Sequence, residues 1–135
     1  MRLKAAVRKF LETERVCRAA TAGPDGTPHV VPVCHVLAEG KIYFATDKES
    51  QKARNLRRNP RLALAADLYS EDWPRLAGVV VQGRARLIAR GPQFRGIRAL
   101  LYRKYPQYPR EAALEEGDVV MVELAPERVS AWGLD

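Results

Sequence analysis

The sequence has 135 residues, and its 23 Lys and Arg against 16 Asp and Glu give a formal net charge of +7. This length suits one domain with a sizeable core, and the composition excludes a disordered or low-complexity chain. The positive charge favours an acidic partner, such as a nucleotide, a phosphate ester, nucleic acid or an anionic surface, without choosing among them.

The first residues predict an amphipathic helix. Leu3, Val7, Phe10 and Leu11 follow the spacing of one helical face. Because residues 1–14 contain no uninterrupted apolar run, we expect neither a signal peptide nor a membrane anchor. The small apolar face favours packing on the helix's own domain over a membrane surface. With no export signal, we expect a cytoplasmic location and two free cysteine thiols.

Apolar runs bounded by Gly and Pro predict six strands, mostly joined by hairpins. Pro28 and Pro32 remove ladder donors, so the second strand needs an edge, a bulge or a site where a ligand approaches, and we expect Pro32 to break or bend it. Gly83 indicates a bend in the fifth strand, and Pro126 interrupts the sixth. The predicted strands are residues 16–21, 27–37, 41–46, 61–69, 78–89 and 118–124, the last continuing as 128–132.

Two further helices are predicted between these strands, at residues 50–59 and 92–105. The strands do not alternate with helices as βαβ units would, so a parallel sheet is not expected. An antiparallel barrel with peripheral helices leaves few open strand edges. We therefore expect a mainly β fold with peripheral helices, forming a single domain over residues 1–135.

Residues 47–61, DKESQKARNLRRNPR, are the most informative part of the chain. A strand ends at Thr46, and Ser50 is a favoured N-cap residue for the helix that follows. The unpaired N–H groups and positive end of a helix N-terminus bind phosphate, and Lys52 can reach the same anion. The alternative is that these cationic residues form only a solvated helix face.

Several common sites are not expected. Cys34 and His35 are neighbours on a strand, so they point to opposite faces and cannot form a nucleophile pair. His29 and His35 are about 20 Å apart along an extended strand, and no Cys or His pair has zinc-ligand spacing, so we expect no metal. Tyr43 and Phe44 point to opposite faces, so a nucleic-acid-binding aromatic platform is not expected either. The P-loop, G-x-S-x-G and G-x-G-x-x-G motifs are absent.

Four segments resemble the flavin-binding split-barrel superfamily of pyridoxamine 5′-phosphate oxidase-like proteins. They are the hairpin GPDGTPHVVPVCHVLAEGKIYFAT, the helix ESQKARNLRRNPR, the strand GVVVQGRARLI and the ending PERVSAWG. The segments ADLYSEDWPRL and LLYRKYPQY resemble a subgroup of deazaflavin (coenzyme F-420)-dependent enzymes. The resemblance runs from about Val16 to Trp132 and implies a six-stranded antiparallel split barrel of the FMN-binding type.

The resemblance also implies a homodimer with the cofactor ring in a cleft between the two chains. In the superfamily the phosphate is held by residues at a strand end and a helix start, the ring edge follows backbone of the second strand, and an aromatic residue of the other chain covers the ring. In this sequence the matching residues are Thr46, Ser50, Gln51 and Lys52 for the phosphate, Pro32, Val33 and Cys34 for the ring edge, and Trp73 for the cover. His35 is also a predicted cofactor-binding residue and matches a Lys of the superfamily.

Three departures from the oxidases qualify the resemblance. Gln51 stands where the oxidases commonly have Arg, so one charge partner of the phosphate is missing. His35 replaces a Lys and would be a weaker, pH-dependent cation. The substrate arginines near the oxidase C-terminus have no counterpart in RVSAWGLD, so oxidation of pyridoxamine phosphate is not expected.

The expected function is hydride transfer to or from an unknown small-molecule substrate, through bound FMN or coenzyme F-420. We expect FMN as the cofactor, because the phosphate site is compact. Coenzyme F-420 is the alternative, because its acidic tail would account for the surplus charge at Arg54, Arg57 and Arg58. Cys34 and His35 are candidates for a general acid by location only. The alternative is a non-enzymatic flavin or haem carrier, for which haem would need an accessible His29 or His35. Neither a nucleic acid nor a membrane is an expected partner.

Overall fold

The computed structural model describes residues 1–134, which form seven strands, four α-helices and one short 3-10 turn. Both predicted internal helices and the N-terminal helix are present, and a one-turn helix follows the third. In chain order the elements are α1 (Ala5–Thr13), β1 (Cys17–Ala22), β2 (Pro28–Val33), β3 (His35–Ala38), β4 (Lys41–Asp47), α2 (Gln51–Arg58), β5 (Arg61–Leu68), the 3-10 turn (Trp73–Arg75), β6 (Ala77–Ile88), α3 (Pro92–Lys104), α4 (Tyr108–Glu111) and β7 (Val119–Trp132).

All seven strands join one antiparallel sheet in the order β2-β1-β5-β6-β7-β4-β3. The two edge strands, β2 and β3, are consecutive in the chain and are separated only by Cys34. This link brings the two ends of the sheet together, so the sheet curls into a half-barrel. The expected mainly β architecture with peripheral helices is confirmed.

The number of strands differs from the six expected, because residues 27–37 form two strands and not one. Val33 still pairs with Cys17 of β1, whereas His35 already pairs with Phe44 of β4. The chain therefore changes partner strand at Cys34. Pro32, which was expected to mark the break, lies inside β2. It is tolerated there because β2 is an edge strand, where a missing N–H donor need not interrupt a ladder.

Gly83 marks an irregularity between the two longest strands, as expected. The register of β6 and β7 shifts between Gln82 and Gly83, which opposes Pro126. A Cβ atom at Gly83 would collide with the carbonyl oxygen of Ala125. The absence of a side chain therefore lets the two strands stay paired through the bend.

The apolar residues form two cores, one inside the curled sheet and one between the sheet and α3. Val7 and Leu11 of α1 close the first core, and Phe94 and Leu101 of α3 are fully buried in the second. Burying a side chain of this size contributes about 1.5–3 kcal/mol. No helix within residues 1–134 is long and apolar enough to cross a membrane.

Tyr105, at the end of α3, fixes the point where β2 passes to β3. Its hydroxyl accepts a hydrogen bond from the His35 N–H at 2.9 Å. The same hydroxyl lies 2.9 Å from the carbonyl oxygens of His35 and Arg15, which compete for its proton. A buried side chain therefore holds the backbone next to Cys34, in addition to the strand pairs of Val33 and His35 on either side.

Candidate functional site

The start of α2 brings Thr46 and Ser50 together. Ser50 has the extended backbone of an N-cap residue, and its Oγ accepts from the Ala53 N–H at 3.1 Å. The same oxygen accepts from the Thr46 hydroxyl at 2.8 Å. Since both bonds use the Ser50 oxygen as acceptor, its proton remains available for a ligand. The predicted N-cap is confirmed.

Two backbone N–H groups remain open at this helix end. The N–H of Ala53 is taken by Ser50 Oγ and that of Arg54 by the Ser50 carbonyl. The N–H groups of Gln51 and Lys52 are the first two of the helix, which have no intrahelical acceptor. With the positive end of the helix dipole behind them, they form a small anion-binding surface.

Lys52 is half-buried beside these amides, and burial lowers the pKa of its ammonium. Its side chain forms no hydrogen bond or ion pair with any other group in residues 1–134. A partly desolvated cation without a counter-charge is unfavourable, and a bound anion would offset that cost. Lys52 therefore adds a positive charge next to the open amides.

Gln51 is held along its own helix. Its amide nitrogen donates to Asn55 Oδ1 at 2.8 Å, and its Oε1 accepts from Arg54 at 2.8 Å. Asn55 is buried and donates to Thr21 Oγ1 of β1 at 3.0 Å, which anchors α2 on the sheet. The side chain of Gln51 is therefore occupied within the helix, and its backbone N–H is the group it offers to a ligand. This agrees with the expectation that Gln51 supplies no charge to the phosphate.

A groove of about 520 Å³ lies on the outer face of the sheet, across β1, β5, β6 and β7. Small side chains make it shallow: Ala20 and Ala63 are directly opposite each other on neighbouring strands. Val30 of β2 lies opposite Ala20 and is 64% exposed. The groove is lined by Ala20, Thr21, Ala22, Arg61, Leu62, Ala63, Gln82, Gly83, Glu127 and Arg128.

None of these groove residues was predicted from the sequence as part of a site. The signal that could have found them is the alternation in RLALAADL, where alanines 63 and 65 occupy the face opposite the leucines of β5. A strand face built of alanine on two adjacent strands allows another backbone to approach closely.

The predicted ring-edge residues lie at the end of β2, where exposed and buried side chains alternate, and at the junction with β3. Pro32 is exposed on the same face as Val30, whereas Val33 points into the core. Cys34 is half-buried at the junction and is a free thiol, as is the buried Cys17. Burial holds the Cys17 pKa well above its usual range, so this thiol is unreactive.

His35 lies inside the protein with no exposed surface. Its Nε2 lies 2.7 Å from the Leu11 carbonyl oxygen at the end of α1, so the neutral ring donates there. Burial, followed by the positive charge of Lys104, lowers the His35 pKa to about 4. The expected role of His35 as a cation is therefore wrong, because the ring is neutral at pH 7 and enclosed. The place of His35 among the cofactor-binding residues stays a prediction.

Trp73 lies in the 3-10 turn between β5 and β6 and is 68% exposed. Leu68 and Tyr69, also exposed, are in the same hairpin end. This end is separated from α2 by the length of β5, about 24 Å at ~3.4 Å per residue. Within one chain Trp73 therefore lies far from the phosphate site at the start of α2. Its role in covering the cofactor of a partner chain stays a prediction.

In residues 1–134, no three His, Cys, Asp or Glu side chains come together as a set of metal ligands. The candidate phosphate ligands at the start of α2 are instead cationic or neutral donors: the Lys52 ammonium, the Ser50 hydroxyl and two backbone amides. Such a donor set binds oxyanions and not metal ions.

The pyridoxamine 5′-phosphate oxidase family profile matches residues 3–133. The chain belongs to this family. The match extends over nearly the whole sequence, including β2, β4 and α2, which carry the predicted phosphate and ring contacts. A search of curated proteins finds no match.

Three solved structures of similar fold differ in what their names say they bind. A FAD-binding protein from Mesorhizobium loti is 25% identical, with 96% of this chain and 94% of that chain covered and a TM-score of 0.75. An F420 reductase is 23% identical, with 95% and 98% covered and a TM-score of 0.74. A heme binding protein from Mycobacterium smegmatis is 23% identical, with 98% and 55% covered and a TM-score of 0.80. The last two likenesses establish the fold alone.

Proposed function

We propose that the chain is a homodimeric oxidoreductase that transfers hydride to or from a small-molecule substrate through a bound flavin or deazaflavin. The cofactor carries a phosphate, and FMN and coenzyme F-420 are the two candidates. The observation that carries the proposal is the half-buried, unpaired Lys52 beside the two open amides at the start of α2. The similarity to a FAD-binding protein from Mesorhizobium loti supports a flavin as the cofactor class.

The burial of Lys52 distinguishes a phosphate site from a solvated helix face. Arg57 and Arg58 of the same helix are exposed, as cations on a solvated face should be. Lys52 is not, and its lowered pKa reflects lost hydration. A phosphate there would receive the ammonium, the Ser50 hydroxyl proton and two N–H groups, a set of charge-assisted hydrogen bonds.

The outer face of the sheet supports a homodimer. Ala20 and Ala63 leave room for a second backbone, and Val30 exposes apolar surface beside them. An apolar, small-residue face of this kind on a β-sheet is typical of surfaces that bind another protein. Trp73, remote from α2 in its own chain, would reach a cofactor only from a partner.

The bound flavin or deazaflavin would supply the hydride chemistry. This chain's residues would hold the phosphate at α2, support the ring edge along the backbone of Pro32, Val33 and Cys34, and exclude water by dimer contact. We assign no catalytic residue. A cytoplasmic location remains the expectation from the sequence.

His35 does not offer haem an axial ligand. His35 is enclosed, and its Nε2 is bonded to Leu11. His29 is only partly exposed, and its Nδ1 is buried. Axial ligation needs an accessible imidazole nitrogen, and neither ring nitrogen of His35 is accessible. A flavin carrier without enzymatic activity would use the same phosphate site and differs only in turnover.

The visible absorption spectrum of the purified chain, reconstituted with each cofactor and desalted, tests the proposal. We expect retained FMN, with two flavin bands, or retained F-420, with one band at intermediate wavelength. Reduction of the bound cofactor coupled to substrate turnover would separate an enzyme from a carrier. An intense Soret band after addition of haem, or a colourless protein after all three additions, would contradict the proposal.

A further inference from the structure

The ring edge expected along Pro32, Val33 and Cys34 receives no positive charge from β3. His35, which was expected to be the cation there, is enclosed, and burial lowers its pKa to about 4, so the ring is neutral at pH 7. Pro32 has no N–H, so its backbone offers a ligand an acceptor and no donor. A cation that serves this edge would have to come from another strand.

The neighbouring strand, β1, supplies a cation next to this edge. Arg18 lies directly opposite Pro32 in the register of β1 and β2, so their Cα atoms are about 4.5–5.5 Å apart. Cys17 and Ala19, on either side of Arg18, are fully buried, whereas the Arg18 side chain is half exposed. Arg18 therefore projects from the outer face of the sheet, on which Pro32 is also exposed.

Asp67 of β5 directs the Arg18 guanidinium toward the junction at Cys34. A hydrogen bond of 3.1 Å joins Arg18 Nη1 to Asp67 Oδ1. Arg18 is paired with Ala65, and Asp67 lies two residues further along β5 on the same face. Because β1 runs antiparallel to both of its neighbours, this direction leads toward Cys34 and away from Pro28. The ion pair thus turns the guanidinium toward the end of β2 where the ring edge is expected.

The stability of the fold gives no strong reason for this ion pair. Both side chains are about half exposed, and exposed ion pairs add little stability. The bond to Asp67 uses one of the five N–H donors of the guanidinium, and Arg18 forms no other side-chain hydrogen bond within residues 1–134. Its neighbours in the same row across the sheet, Pro32 and Ala65, have small side chains. The remaining donors are therefore open to a ligand on the outer face.

We propose that Arg18 stabilises the negative charge that the cofactor ring gains on reduction. The inference rests on the proposed function and adds a residue to its site. Hydride transfer from a substrate brings two electrons and one proton to the ring, which leaves one additional negative charge there unless a second proton follows. A nearby guanidinium favours the more negative, reduced form over the oxidised form. Tighter binding of the reduced form raises the reduction potential of the bound cofactor.

The test measures the reduction potential of the cofactor that the wild-type chain retains, FMN or F-420, and compares it with that in Arg18→Gln. This variant should weaken binding of the reduced cofactor about tenfold relative to the oxidised one, which lowers the two-electron potential by about 30 mV. Arg18→Lys keeps the charge and should keep most of the wild-type potential. Dissociation constants measured anaerobically for both redox forms give the same ratio independently.

Arg95→Gln is the matched control. Arg95, on α3 outside the sheet, forms an ion pair of 3.2 Å with Glu116 and is 52% exposed, close to the 3.1 Å and 50% of Arg18. Its removal should leave the potential unchanged, because an exposed charge remote from the ring is screened.

An unchanged potential in Arg18→Gln overturns the inference and leaves the proposed function intact, since the cofactor is still bound. Equal falls in Arg18→Gln and Arg95→Gln also overturn it, because the effect is then general electrostatics. If Arg18→Gln weakens binding of both redox forms equally, Arg18 only holds the cofactor or the fold, and the inference is wrong. A wild-type chain that retains neither cofactor overturns both the inference and the proposed function.

Discussion

Lys52 is the residue on which the phosphate site depends most. It is half-buried, its pKa is lowered by burial, and it has no counter-charge in the described chain. We predict that Lys52→Ala weakens FMN binding by about 1.5–3 kcal/mol, the range for a hydrogen bond to a charged group. Isothermal titration would measure the loss. Because no internal partner is removed, the free energy of unfolding without ligand should not fall.

Lys48→Ala is the matched control for this substitution. Lys48 lies four residues earlier, is exposed, and carries the same charge just before the helix. Its removal should change FMN affinity by less than about 0.5 kcal/mol, since exposed charges are screened. Equal losses for Lys48→Ala and Lys52→Ala would place the phosphate elsewhere.

His35 makes the stability of the fold depend on pH. Its folded-state pKa of about 4 lies below the ordinary value of 6.5. Between these values the unfolded chain takes up a proton that the folded chain excludes, so stability is complete above pH 6.5 and falls as the pH decreases. We predict a loss of about 2 kcal/mol between about pH 7.5 and about pH 5, measured by urea unfolding.

His35→Gln isolates this contribution, because an amide can donate to the Leu11 carbonyl and does not titrate. The variant should lose less stability than the wild type over the same pH range. If the two chains lose equal stability, other groups cause the decline and His35 is not excluded from protonation in the folded state.

At the scale of residues, the sequence was informative where the interaction is local. The N-cap role of Ser50 depends on its immediate neighbours and was predicted. The neutrality of His35 depends on burial under α1 and on Lys104, both far away in sequence, so an expected cation became a core residue. The hydrogen bonds that hold Gln51 along the helix were likewise not foreseen.

At the scale of elements, the pairing of β6 with β7 depends on Gly83. A Cβ there would collide with the Ala125 carbonyl, which belongs to backbone and cannot move freely. We predict that Gly83→Ala destabilises the fold by about 1–3 kcal/mol, the usual cost of overpacking. Urea unfolding would measure it.

Gly96→Ala is the control, because the same substitution is expected to stabilise the fold at this position. Gly96 lies in α3, and a Cβ there meets nothing within 4 Å. Alanine should therefore stabilise the helix, by about 0.5–1 kcal/mol. If Gly83→Ala proves as harmless as Gly96→Ala, the close approach of β6 and β7 is not a requirement of the fold.

The strand count shows where element prediction from sequence stops. Turns and alternation located the strand regions, but β2 and β3 were predicted as one strand. Of the settings expected for Pro28 and Pro32, the edge strand is the one found. The division at Cys34 has no local signal, because it arises where the curled sheet exchanges one partner strand for another. Sequence pattern gave no means to tell this exchange from one bent strand.

At the scale of the whole molecule, the outer sheet face is the expected contact between two copies. Ala63 lies at its centre, paired with Ala20 and Gln82 on neighbouring strands. We predict that Ala63→Glu converts a dimer to a monomer of 15.2 kDa and weakens cofactor binding, because buried carboxylates would face the partner. Sedimentation velocity with and without FMN would measure both states.

Ala99→Glu, on the exposed side of α3, is the control and should remain dimeric. A wild-type chain that stays monomeric even when saturated with cofactor would contradict the proposed assembly. The sequence did not locate this face, because an interface of alanines differs from an ordinary strand surface only when neighbouring strands are placed side by side.

The most direct test of the central claim is the ratio of affinities of the wild-type chain for FMN and for riboflavin, which lacks the phosphate. A phosphate held by Lys52, Ser50 and two amides should make FMN the tighter ligand by about 2–4 kcal/mol, or roughly 30- to 1000-fold. Equal affinity for FMN and riboflavin would contradict the account, because the start of α2 would then hold no phosphate.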